Sequence, residues 1–164
     1  MSNLPHLGCY IIPTEVMRAT EQFLQEQGRK GSEGLVLWAG REVTPRRLAI
    51  TRHFIPKQVT SALHFDVPEF EMKRILNELA KAGERLLVQV HSHPKEAFMS
   101  EADVRSPVVS HRGAVSIVVP NYRTLRFRSL SDAKVFIYRA YGDWPELVPE
   151  DIATYFEIKE ARYA

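Results

Sequence analysis

The amino-acid sequence predicts an α/β (α+β) fold, a central mixed β-sheet flanked by helices, in a single domain over residues 1–164. Three observations carry this. The apolar runs 33–40, 85–90 and 114–119 are too short for buried helices, and they are bounded by glycine, proline or charge, as buried strands are. Two segments opened by Pro13 and Pro68 instead repeat apolar residues at helical spacing. The two kinds of segment alternate along the chain, with some strands adjacent and helices interspersed, which is the pattern of a sheet with helices packed on it.

Taken in order, residues 9–12 (Cys9-Tyr10-Ile11-Ile12) read as a short strand. Pro13 then opens a helix, where a missing N–H leaves nothing unsatisfied. Val16, Thr20, Phe23, Leu24 and Gln27 mark its buried face, Gly28 its expected end, and residues 29–32 a polar turn. Residues 33–40 form a buried strand. Residues 48–55 are its antiparallel neighbour after a turn at Pro45. Residues 57–67 show no period and are expected to be a loop. Pro68 starts the second helix, with Met72, Ile75, Leu76 and Leu79 on one face and Gly83 closing it. Residues 85–90 run as a strand into His91, and 114–119 form another. Leu125, Phe127 and Ser129 alternate with Arg126 and Arg128, which suits a half-exposed strand. Residues 134–140 give the last strand, and 149–161 a closing helix carrying Ile152, Tyr155 and Phe156.

The composition is that of an ordinary globular chain: 45% apolar, 26% charged, with 10 Pro and 8 Gly. The net charge of +2 does not argue for nucleic acid as a partner. The arginine clusters Arg41, Arg46, Arg47 and Arg123, Arg126, Arg128 read as solvated basic faces. The single cysteine, Cys9, cannot staple the fold. It reads as a small buried hydrophobe in a reducing compartment. The first residues have neither a basic n-region nor a long apolar stretch, so no signal peptide and no membrane span are expected, and a cytoplasmic location is. His6, His53, His64 and His111 read as structural, and Trp38 as core.

The chemistry is concentrated in residues 91–103. His91 and His93 follow an apolar strand and are two apart. In a strand, residues i and i+2 face the same way, so both imidazoles can meet one ion before Pro94 ends the strand. Zinc favours a tetrahedral site of nitrogen and carboxylate ligands with one position left for water. A carboxylate is the usual third ligand, and Asp103 is the candidate. Ser100-Glu101-Ala102-Asp103 is a helix-start pattern with Ser100 as N-cap, which puts Asp103 in a first turn facing the strand end. Glu96 and Glu101 are fallback carboxylates. Hydrolysis also needs a group to take a proton from the attacking water and hand it to the leaving amine. Glu33 stands at the head of an apolar strand, where desolvation raises a carboxyl's pKa. The alternative reading is an exposed strand-end acid.

Together, Glu33, His91-Ser92-His93-Pro94 and Ser100-Glu101-Ala102-Asp103 resemble the JAMM motif of the JAB/MPN metallopeptidases. There a Glu at a strand start precedes His-Ser/Thr-His-Pro and, after a short gap, Ser-x-x-Asp. The likeness extends over nearly the whole chain in the order of elements. One departure is a gap of five residues, Lys95 to Met99, where the family usually has six. The resemblance implies a single JAB/MPN domain of cytidine-deaminase-like fold. It also implies one Zn2+ per chain held by His91, His93 and Asp103, with Glu33 as general base and then acid and Ser100 as hydrogen-bond donor to the oxyanion. Ser92, pointing to the opposite face, is structural.

The resemblance further implies a substrate. Active members cleave isopeptide or peptide bonds after the C-terminus of ubiquitin or a ubiquitin-like protein. A chain this short resembles the bacterial stand-alone members, which are associated with ubiquitin-like conjugation systems, including antiviral defence operons, or with sulfur-carrier processing. Expected partners are therefore a ubiquitin-like protein or its conjugates, and conjugating or activating enzymes of the same operon. Residues 57–67 are the candidate substrate-contacting loop. The alternatives are a peptidase that trims a sulfur-carrier protein and a non-catalytic MPN scaffold. A DNA-repair-associated relative is disfavoured, since Asn usually stands where Ser92 does.

Overall fold

In the computed structural model, which describes residues 8–160, the apolar runs become neighbours in one twisted sheet. The first strand, β1, spans Cys9–Pro13. Pro13 is also the N-cap of helix α1, Thr14–Arg29. Strands β2 (Leu35–Thr44) and β3 (Arg47–Phe54) pair antiparallel around a tight turn. A short two-stranded ribbon follows, β4 (Val59–Thr60) with β5 (Phe65–Asp66), and then helix α2, Glu69–Ala82. Strand β6 is Arg85–Ser92, helix α3 Glu101–Arg105, and strands β7 and β8 are Val115–Val119 and Lys134–Ile137. Helix α4 (Pro149–Tyr155) leads directly into strand β9 (Phe156–Lys159). The sheet runs β8-β7-β6-β2-β3-β1-β9, with β6 parallel to β7, β1 parallel to both β3 and β9, and the remaining pairs antiparallel. It is the mixed, helix-flanked sheet that the sequence predicts.

The alternation of β2 divides the interior. Val36 and Trp38 belong to one apolar cluster with Val16, Met17 and Leu24 of α1. Leu35, Leu37 and Ala39 belong to another with Ile75 and Leu79 of α2. The helices therefore lie on opposite faces of the sheet, as period-two strands buried on both sides require. Trp38 is wholly buried, as expected, and its Nε1 donates to Thr20 Oγ1 at 2.9 Å. On α2, Ile75 and Leu79 are buried but Leu76 is 49% exposed. Gly83 ends the helix in the left-handed region, at φ 67°, where glycine alone carries no steric penalty.

Several expectations need correction. Gly28 does not end α1, which continues to Arg29. A Cβ at position 28 would come within 1.7 Å of Tyr122 O, so glycine is there for close approach of two backbones. Cys9 is half-buried rather than buried. Residues 57–67 contain the β4–β5 ribbon, and are not a structureless loop.

Residues 125–129 alternate in burial as read, with Leu125 and Phe127 inside, but they pair with no strand. Helix α1 takes their backbone groups instead: Gln25 Nε2 donates to Leu125 O at 3.0 Å, and Phe127 N–H donates to Glu21 Oε2 at 2.7 Å. Strand β8 stops at Ile137, short of the expected residue 140. The closing helix stops at Tyr155, because the chain then adds a strand to the open edge of β1. Residue 161, the far end of the expected helix, and His6 lie outside the described residues.

Candidate metal centre

The centre forms where β6 ends. Val90 turns into the α1 cluster, so Gln89 and His91 face the α2 side. Leu35 and Leu37 stand opposite them in the ladder. His93 lies one residue past the strand but keeps its register, its N–H donating to Val119 O at 2.9 Å and its O accepting from Tyr122 N at 3.0 Å. Both imidazoles thus leave the sheet on one side, as the two-residue spacing implies. They are 0% and 4% exposed.

Asp103 comes from α3. Ser100 caps this helix: its Oγ accepts from Asp103 N–H at 3.1 Å, and its own N–H donates to Asp103 Oδ2 at 2.8 Å. This reciprocal capping box locks the aspartate side chain in the orientation expected of it. Asp103 Oδ2 then lies 3.2 Å from His91 Nε2 and 3.3 Å from His93 Nε2, and the two Nε2 atoms are 3.2 Å apart. The five-residue connection before Ser100 does not misdirect it. That segment is pinned by Asn121 N–H to Lys95 O at 2.8 Å, by burial of Ala97, and by the Phe98 ring edge-on to His93 at 4.8 Å.

His91, His93 and Asp103 form the group able to hold a metal ion among the described residues. Glu96 is exposed, and Glu101 pairs with Arg105. The donor chemistry fits a cation. His93 Nδ1 lies 3.2 Å from Glu96 O. A carbonyl only accepts, so the proton is on Nδ1 and the Nε2 lone pair faces the centre. Converging lone pairs and a carboxylate oxygen repel one another unless a cation lies between them. The spacing fits as well: metal bonds of about 2.0–2.1 Å in a tetrahedron place ligand atoms about 3.4 Å apart. His91 Nδ1 is buried without a hydrogen-bond partner, and its ring packs against Phe65 and His93, at 5.3 and 5.1 Å between centroids.

Without a cation the same imidazole nitrogens can carry hydrogen toward Asp103 instead. Burial alone would raise the Asp103 carboxyl, but hydrogen bonds from His91 and His93 then hold it well below the usual carboxylate range. Burial opposes the charged form of His93, yet the Asp103 hydrogen bond and the charges of Glu33 and Asp103 raise its pKa overall.

Glu33 lies just ahead of β2, is 5% exposed, and shares a cavity of about 1240 Å3 with His93, Ser100 and Asp103. Burial pushes its carboxyl up from 4.5 to about 7, with His93 opposing and Asp103 adding to the shift. It is therefore a buried acid facing the centre, and not an exposed strand-end group. Ser92, as expected, points away: its Oγ accepts from Gly34 N–H at 3.0 Å, tying the Glu33 segment to β6. Ser100 Oγ accepts from Asp103, which leaves its own proton to be given. The ribbon residues Ala62 to Val67 form one wall of the cavity, and Met72 of α2 and Val108 another.

Sequence reasoning missed Gln89. Its Oε1 accepts from Val108 and Val109 N–H, both at 2.9 Å, securing the segment after α3. Its only signal was a polar residue inside an apolar strand.

No family model matches the chain. It is 32% identical over 160 residues to the probable metalloprotease y4jG of Sinorhizobium fredii, covering 94% of this chain and 96% of that one. It resembles the solution structure of protein DSY2949 from Desulfitobacterium hafniense, with TM-score 0.63, 17% identity, and 93% and 94% of the two chains covered.

Proposed function

The chain belongs to the metalloprotease family of the Sinorhizobium fredii relative, and we propose that it is a zinc-dependent peptidase or isopeptidase of the JAMM type. In this reading it cleaves after the C-terminus of a ubiquitin-like protein. The observation that carries the reading is the convergence of His91, His93 and Asp103 within 3.3 Å of one another, with His93 and Asp103 lining a cavity that Glu33 shares. His91, His93 and Asp103 are the ligands of one Zn2+. Bound zinc would lower the pKa of a coordinated water to about 7 and polarise the scissile carbonyl.

The chain's own residues supply the rest. The Glu33 carboxylate takes the proton of the attacking water and passes it to the leaving amine. A carboxyl whose pKa is raised to about 7 suits both halves of that transfer near neutral pH. Ser100 Oγ–H donates to the developing oxyanion, a contact worth about 3 kcal/mol in the barrier. No covalent bond to the protein is needed. Residues 1–164 act as one JAB/MPN domain, in the cytoplasm, beside activating and conjugating enzymes. No helix among the described residues is long and apolar enough to cross a membrane.

The test is incubation with a panel of ubiquitin-like proteins fused through their C-terminal residue to a reporter, with and without chelator, reading cleavage by intact mass. Cleavage at the junction that disappears with chelator supports the reading. Cleavage untouched by chelator, or none across the panel, refutes it.

A further inference from the structure

Strand β3 stops early. Its pairing with β2 reaches Leu37↔Phe54, and two residues on, opposite Leu35, the chain presents Pro56, which has no N–H to donate. The backbone of Gly34 is turned toward β6, where its O accepts from Ser92 N–H at 3.1 Å. Peptide groups alternate along a strand, so the N–H and C=O of Leu35 and the N–H of Glu33 point the other way, to where β3 no longer runs.

The side chain of Gln58 fills that gap. Its Oε1 accepts from Leu35 N–H at 2.8 Å, and its Nε2 donates to Leu35 O and to Pro56 O, each at 3.0 Å. A side-chain amide thus replaces the missing peptide group. Beyond it, Glu33 N–H donates to Ser61 O in the β4–β5 ribbon at 2.9 Å. Gln58 is itself anchored next door, where Lys57 N–H donates to the buried carboxylate of Glu71 on α2.

We propose that Gln58 is a positioning residue for the reaction, its amide holding segment 33–35 so that the Glu33 carboxylate stays in register with His91 and His93. This rests on the reading of Glu33 as proton carrier. Leu35 stands directly opposite His91 in the ladder, so any slip of the segment changes the distance between carboxylate and imidazoles. Gln58 does not line the cavity; Ala62 to Val67 do. Substrate seated against the ribbon therefore loads the same hydrogen bonds that hold the base.

The test is Gln58→Met, which keeps length and volume and removes all three hydrogen bonds, in the full zinc-loaded chain. The first readout needs no substrate. Amide exchange at Glu33 and Leu35 should quicken about tenfold or more while β6 and β7 stay protected. The second is turnover of a ubiquitin-like fusion cleaved by the wild type. The kcat should fall about 10- to 100-fold, as misplacement of a catalytic group does, with KM within about twofold and zinc content unchanged.

Unchanged exchange, or faster exchange with wild-type kcat, overturns the proposal. So does a raised KM at constant kcat, which marks a binding contact. If Gln58→Met does not fold, Gln58→Glu replaces it: it keeps the acceptor for Leu35 N–H but sets a carboxylate oxygen against the carbonyls of Leu35 and Pro56, and should lower kcat about tenfold below wild type at unchanged KM, with wild-type kcat overturning the proposal. Failure of the underlying reading is separately visible. Full activity in Glu33→Gln removes the base, whatever Gln58 does, whereas inactive Glu33→Gln beside fully active Gln58→Met removes only the positioning role.

Discussion

Glu33→Gln should stabilise the metal-free protein at pH 8 and barely affect it at pH 5. Glu33 is 5% exposed, and burial, with His93 opposing and Asp103 adding, pushes its carboxyl from 4.5 to about 7. A carboxyl with a raised folded pKa binds its proton more tightly in the fold than in the unfolded chain. The resulting stability is fully present below the unfolded value and is lost as pH rises through the folded one. At about 1.36 kcal/mol per pKa unit, the interval from 4.5 to about 7 amounts to about 3 kcal/mol lost by pH 8, and under about 1 kcal/mol at pH 5. Glutamine fills the same space and carries no charge at either pH.

The assay is guanidinium unfolding of chelator-dialysed wild type and variant at both pH values. The variant should lead by about 3 kcal/mol at pH 8 and by under about 1 kcal/mol at pH 5. Zinc should narrow the gap at pH 8, because a dication beside the carboxylate offsets its burial. Equal differences at the two pH values would show that Glu33 is not a desolvated acid, and its assignment as proton carrier would go with that.

Asp103→Ala should lose stoichiometric zinc, read by native mass spectrometry. It should also lose the metal-dependent part of its stability, about 2.7 kcal/mol for a cation at a hundred times its Kd; zinc retained one per chain would count against the ligand set. Ser100→Ala should keep its zinc, lower kcat about 100-fold, and destabilise the protein by about 1 kcal/mol through loss of the α3 cap. A kcat within twofold of wild type would remove the oxyanion contact. Tyr10 lies in the α1 core, and burial, against a smaller opposing effect of Arg85, pushes its phenol up to about 12. The wild type should therefore lose about 2 kcal/mol between pH 10 and 12, as the phenol ionises in the unfolded chain while the folded one still holds its proton. Tyr10→Phe should flatten that fall, and parallel pH profiles of the two proteins would refute the assignment.

Where a structural feature depends on residues near one another in sequence, it was legible. The two-residue spacing of His91 and His93 dictates a shared face in any strand. The pattern Ser100 to Asp103 dictates a capping box that aims its own aspartate. The apolar runs at β2, β6 and β7 could be buried only as central strands. What periodicity does not carry is the identity of the partner. Leu125 to Phe127 have the alternation of a strand, yet their backbone groups are met by Glu21 and Gln25 of a helix about a hundred residues earlier. Phe156 to Lys159 continue a helical pattern, yet they become a strand because β1 leaves an edge open beside them. Residues 57–67 lack a period because a side chain, Gln58, supplies the hydrogen bonds that a strand would have supplied. The sequence by itself singled out the side chains whose chemistry suits a cation and a mobile proton. Only the tertiary structure decided that Glu33 meets them in one cavity, because backbone hydrogen bonds and burial are satisfied by whatever the fold brings near, and distance along the chain says nothing of that.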